Sequence, residues 1–176
     1  QVEPALEVQP YLADFTVMFA GNMGEAQDFP AILDAAEHLR DRRDIRWLIV
    51  GDGRMTEWVR SEIERRSLSE NVILLGRHPL ERMPAFFKGA SALLVSLRSE
   101  PIFAMTIPGK VQTYLASGLP LLGMLDGEGA RIILEAGAGL VCPAGNGTEL
   151  SRCVERMATM DATQRHQMGL MGRAYC

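Results

Sequence analysis

The chain has 176 residues, enough for one domain with a substantial core, and its 47% hydrophobic and 23% charged residues read as soluble and globular. A net charge of -4 and a pI near 5.4 argue against a broad nucleic-acid surface, which needs clustered basic charge. No apolar run approaches the ~20 residues that cross a bilayer, and the start, QVEPALEVQPYLADF, has no basic region followed by an apolar block.

Residues 1 to 13 hold two prolines and no clear period, so they read as a linker or interdomain arm ahead of a domain over 14–176. Phe15 to Gly21, FTVMFAG, is a β-branched and aromatic run ending in glycine, as a buried strand would be. The loop after it contains Gly21, Asn22 and Gly24, which allow tight turns and close approach to a phosphate or sugar; an ordinary turn fits the same residues. A helix is expected over about Phe29 to Arg40 from the spacing of Ile32, Leu33, Ala35, Ala36 and Leu39. Ile45 to Val50 is the next strand, stopped by Gly51-Asp52-Gly53-Arg54, and a charged helix over Thr56 to Arg66 should turn Trp58, Val59 and Ile63 inward. A third strand, Asn71 to Gly76, leads through Arg77, His78 and Pro79 to a short helix near Met83 to Lys88. The remaining strands are expected up to Leu97, over Leu119 to Leu125 and over Ala138 to Cys142, with a helix between Glu128 and Ala136. Two helices close the chain, with Thr148 and Asp161 as expected N-caps.

Apolar strands alternating with helices through short connections describe a Rossmann-like α/β domain, a parallel sheet of about six strands covered on both faces. Ligands of such sheets sit beyond the C-terminal strand ends, so the loops at Gly21–Gly24, Gly76–Pro79, Leu97–Lys110 and Asp126–Gly129 should share one rim.

The most informative loop on that rim is Glu100 to Pro120, EPIFAMTIPGKVQTYLASGLP. Pro108 is placed as the first residue of a helix, which leaves Gly109, Lys110 and Val111 to present N–H groups at the positive end of its dipole. An anion would be stabilised there. Lys110 is one of two lysines against sixteen arginines, although an ordinary solvated lysine at a helix start fits the same spacing.

Hydrolytic, ATPase and dinucleotide-dehydrogenase chemistry find no support: G-x-S-x-G, Walker A and G-x-G-x-x-G motifs are absent. The three cysteines lack metal-ligand spacing, so no metal is expected, and the cytoplasm is the default compartment.

The order of motifs resembles the C-terminal, nucleotide-sugar-binding half of a GT-B glycosyltransferase of the large retaining family called group 1 or family 4. The matching pieces run from about residue 15 to 174: FAGNMG, WLIVGDG, NVILLGRHPLERMPAFFKGASALLVSL, IPGKVQTYLASGLPLL, EGARIILEAGAGLVCPAGNGTEL and RHQMGLMGRA. Family members commonly carry two glutamates with seven residues between them; the corresponding positions here are Met105 and Thr113, and Glu100 lies further upstream. A P-G-K segment before Y-L-A-x-G-x-P resembles instead a bacterial subgroup of surface-polysaccharide enzymes.

The resemblance implies a donor-binding domain with a nucleoside-diphosphate sugar as substrate, no separate cofactor, and an acceptor-binding half outside this chain. Its site would draw on Gly21, Asn22, Gly24, Asp52, Arg54, Arg77, His78, Pro108, Gly109 and Thr113 for binding, and on Glu100 and Lys110 for catalysis. Location at the inner membrane face, by peripheral association, would come through the missing half. A non-catalytic nucleotide-sugar-binding module and a sugar-nucleotide epimerase of the same fold stand as alternatives.

Overall fold

A computed structural model describes all 176 residues. Six strands, β1 (Phe15–Ala20), β2 (Ile45–Val50), β3 (Val72–Gly76), β4 (Ala92–Ser96), β5 (Leu121–Met124) and β6 (Gly139–Cys142), pair in parallel in the order β3-β2-β1-β4-β5-β6. The mainly apolar composition of β1, β4 and β5 has the expected outcome: each is buried along its whole length, Thr16 and Ser96 included, because helices cover both faces. The expected Rossmann-like sheet is the observed one. Its strand order reverses between β1 and β4, which opens a crevice beyond their C-terminal ends.

Side chains of β1 divide the core in two. Phe15, Val17 and Phe19 enter a 26-residue cluster beneath α1 (Phe29–His38), α2 (Thr56–Arg65) and α7 (Gly147–Thr159). Met18 and Ala20 enter a 19-residue cluster beneath α3 (Met83–Phe87), α5 (Gly109–Ser117) and α6 (Gly127–Ala136). The short α4 (Pro101–Ala104) precedes α5, and α8 (Ala162–Tyr175) crosses the outside of α5. That crossing is close: a Cβ on Gly169 would collide with the carbonyl of Gly118, and Arg173 donates to Ser117 O at 3.0 Å, capping the end of α5.

Local chemistry departs from expectation in four places. Residues 1 to 13 were expected to carry no element, yet Leu6–Tyr11 form a 3-10 helix that buries Ala5 and Val8; Ala5 N donates to Ala85 O at 3.0 Å. Trp58 is 37% exposed, since the inward stripe of α2 consists of Val59 and Ile63. Asn146, not Thr148, caps α7 by accepting from Glu149 N at 2.9 Å, and Thr148 Oγ1 meets His38 Nε2 instead. Pro108 is the N-cap of α5 rather than its first residue; its ψ of 138° is extended and its carbonyl accepts from Val111 N. Asp161 caps α8 as expected, with Gln164 completing a capping box.

Candidate functional site

The C-terminal ends of β1, β2 and β3 open into a cavity of about 820 Å³. Its floor is backbone. Gly21 N donates to Val50 O and Gly51 N to Gly76 O, so the three chains stay laddered past the last strand residues. A Cβ on Gly51 would fall inside the van der Waals envelope of the Gly21 carbonyl, and its φ of 142° suits glycine alone. Asn22 and Asp52 stand beside these glycines on the cavity lining.

One wall is α5, which supplies Lys110, Thr113 and Tyr114. Tyr114 is buried, and its hydroxyl donates to Ala20 O at 2.9 Å and accepts from Ala20 N at 3.2 Å. Burial pushes this phenol up to about 12, so it is a fixed neutral hydrogen-bonding group. It pins α5 to the last residue of β1, and the residue one helical turn earlier is Lys110. That ammonium lies 3.8 Å from the centroid of the Phe19 ring and against Gly21, where a Cβ would come within 2.7 Å of the lysine Cε. No carboxylate pairs with it, and burial lowers its pKa from 10.5 to about 8. The alternative of an ordinary solvated lysine therefore fails: Lys110 is a half-buried cation without a counter-ion, held over the floor. Helix geometry leaves the N–H groups of Gly109 and Lys110 unpaired within α5, while that of Val111 is taken by Pro108 O.

The opposite wall is apolar and comes from Leu80, Met83, Pro84 and Phe87, with Arg77 and His78 at its base. His78 is held from both sides. Its Nε2 lies 2.8 Å from Leu75 O, and its Nδ1 lies 3.0 Å from the Nη1 of Arg82.

Of the residues singled out from sequence, Gly21, Asn22, Asp52, Arg77, His78, Lys110 and Thr113 meet at the cavity. Gly24, Arg54, Pro108 and Gly109 lie outside its lining, as does Glu100, which starts α4 and accepts from Arg98 Nη2 at 2.6 Å. Gly24 is turned into its own loop, donating to Gln27 Oε1 at 2.8 Å, and a Cβ on Gly109 would meet nothing within 4 Å. Sequence reasoning did not single out Tyr114 or Phe87, which meet edge to face at 5.9 Å between centroids. The segment YLASGLP contained the only available signal: a tyrosine on the inward face of a helix whose hydroxyl needs a buried partner. No group of three or more His, Cys, Asp or Glu side chains is placed to hold a metal ion, and no helix is long and apolar enough to cross a membrane.

A family model described as glycosyl transferases group 1 matches residues 14–160. The chain belongs to this family. No curated protein sequence matches the chain significantly. Among solved structures it resembles the C-terminal domain of LpcC, a group 1 family glycosyl transferase of Francisella tularensis, with a TM-score of 0.76 and 13% identity over 98% of this chain and 92% of that one. It also resembles sucrose-phosphate synthase of Thermosynechococcus elongatus (TM-score 0.80, 16% identity, 99% of this chain and 44% of that one). HepE of Anabaena, solved in complex with UDP-glucose, superposes at a TM-score of 0.78 with 18% identity over 96% of this chain and 46% of that one. The chain thus spans under half the length of the last two.

As a group 1 glycosyl transferase, the chain has the Rossmann-like fold of the C-terminal half of a GT-B enzyme. At the two positions where the resemblance places paired glutamates, this transferase has Met105, 75% exposed, and Thr113, on the cavity wall.

Proposed function

We propose that the cavity between α5 and α3 receives the nucleoside diphosphate of a sugar donor, and that the domain serves a retaining transferase building a bacterial polysaccharide or lipid-linked glycan. The observation that carries this reading is Lys110: a desolvated ammonium without a carboxylate, placed over a glycine floor beside the N-terminus of α5. A cation in that position is electrostatically unfavourable until an anion arrives. A diphosphate there would meet Lys110 and the N–H groups of Gly109 and Lys110, and the base would rest near Arg77, His78 and Pro79 against Leu80, Met83 and Phe87. The bound UDP-glucose of HepE, in a protein of the same fold, supports a nucleotide-sugar ligand.

In transfer of a hexose, the bond from the anomeric carbon to the diphosphate breaks and the acceptor oxygen bonds to that carbon. The acceptor's proton leaves on the departing diphosphate, whose charge Lys110 and the helix end stabilise. Glu100, bonded to Arg98 on the loop after β4, is proposed to act on the sugar side. The donor is substrate, and no separate cofactor enters. An acceptor must be held over the donor, so this domain alone is expected to bind nucleotide but transfer no sugar.

Titration of the chain with UDP, GDP, dTDP and ADP tests the reading by thermal shift and calorimetry. At least one should bind and raise the melting temperature. A chain indifferent to all four would overturn the diphosphate site.

A further inference from the structure

The segment ahead of β1 reaches the cavity through one side chain. Glu7, in the 3-10 helix Leu6–Tyr11, accepts two parallel hydrogen bonds from Arg82: Nη2 to Oε1 at 2.8 Å and Nη1 to Oε2 at 2.8 Å. The remaining hydrogen of the same Nη1 points to Nδ1 of His78 at 3.0 Å. An arginine cannot accept a hydrogen bond, so Nδ1 must be the bare nitrogen and Nε2 must carry the proton that goes to Leu75 O. The ring is also packed on Phe86, 4.6 Å between centroids, and the Arg82 guanidinium covers the same phenyl ring at 5.0 Å. Glu7 therefore orients Arg82, Arg82 orients His78, Glu7 Oε2 itself lies 3.8 Å from His78 Nε2 on the side where the proton sits, and His78 lines the cavity.

We propose that Glu7 is a positioning residue of the nucleotide site, fixing the tautomer and pose of His78 through Arg82 and through its own carboxylate beside Nε2. Both ring nitrogens of His78 are then committed to the protein. The ring offers a ligand a surface rather than a hydrogen bond, and any edge-reading of a base falls to the backbone of Arg77 and His78. The consequence for affinity rests on the cavity being the nucleotide site; the consequence for the histidine does not.

The test follows the His78 imidazole by nitrogen NMR while UDP affinity is measured by calorimetry. In the unaltered chain His78 should show a single neutral tautomer with hydrogen on Nε2. Glu7→Gln should mix the tautomers and weaken UDP binding about tenfold, equivalent to ~1.4 kcal/mol. The reciprocal change Glu7→Arg with Arg82→Glu restores an ion pair but sets a carboxylate against Nδ1, so it should not restore the tautomer or the affinity. A hydrogen on Nδ1 in the unaltered chain overturns the proposal without any variant, and so does full recovery of affinity in the reciprocal pair. Absence of UDP binding by the unaltered chain would count against the diphosphate reading alone, because the tautomer still decides the role of Glu7.

Discussion

Replacing Lys110 with methionine should make the free chain more stable and the site worse at binding. Burial lowers the lysine pKa from 10.5 to about 8. Taken whole, that depression would be worth roughly 3 kcal/mol of destabilisation. The side chain keeps partial contact with water, which screens it, and the Phe19 ring 3.8 Å away contributes an opposing cation–π attraction of ~0.5–1 kcal/mol. A gain of about 1 kcal/mol at pH 7 is the expected remainder for Lys110→Met, which keeps the apolar contact with Phe19. Because the folded-state value is the lower one, the unfolded chain holds more protons between about pH 8 and 10.5, and wild-type stability rises through that window. The mutant's advantage is thus full below pH 8 and gone above 10.5. UDP binding should fall by about 1.5–3 kcal/mol, the range for hydrogen bonds to charged groups, and the wild-type affinity should decline with added salt. Urea denaturation at pH 7 and pH 10.5, with calorimetry at two salt concentrations, reads both effects. A mutant less stable at pH 7 that binds UDP undiminished would refute the argument at both ends.

Tyr114→Phe removes one hydroxyl that serves both backbone groups of Ala20, leaving them buried and unpaired; a loss of about 1–3 kcal/mol is expected in the denaturation midpoint, with weaker UDP binding because α5 is no longer pinned. Gly51→Ala puts a methyl group into the Gly21 carbonyl at a φ of 142°, so soluble expression or cooperative melting should be lost, whereas Gly109→Ala, into open space, should melt like the wild type. Hydrogen bonding from Arg82 holds Glu7 at about 2, and from Arg65 and Arg66 holds Glu62 at about 2, against an ordinary 4.5. These depressed carboxylates contribute stability that is complete above pH 4.5 and lost as pH falls toward 2, so Glu62→Gln should flatten the acid limb of a melting-temperature profile.

The sheet was legible because a strand buried on both faces has to be mostly apolar, and β1, β2 and β4 each announce this within five or six residues, with Thr16, Arg46 and Ser96 as their single polar members. From parallel pairing alone, the loops after the strands had to share a rim, which is why Gly21, Asp52 and His78 come together although each is weak evidence by itself. What stayed hidden were properties that depend on distant partners. Whether Lys110 is solvated depends on Phe19, ninety-one positions earlier in the chain, and no local pattern reports that distance. The role of residues 1 to 13 depends on a partner in Arg82; a stretch with two prolines and no period gives no sign of a docked helix. Thr148 lost the cap to Asn146 because both residue types suit the position and only the backbone angles decide.

The cavity is built from two mechanically different materials. Its floor consists of main chain laddered by Gly21, Gly51 and Gly76, with carbonyl and Cα in direct contact, so it has no side-chain torsions to yield. Its far wall consists of side chains: Leu80, 85% exposed on the 3-10 turn Leu80–Arg82, and Met83 and Phe87 on the five-residue α3. A pocket that is stiff beneath and compliant at one side tolerates ligands that differ laterally and rejects those that differ in depth. Diversification of specificity in this domain is therefore open to substitutions along Leu80–Phe87, while the depth at which a ligand seats is set by main-chain atoms that substitutions on the wall leave in place.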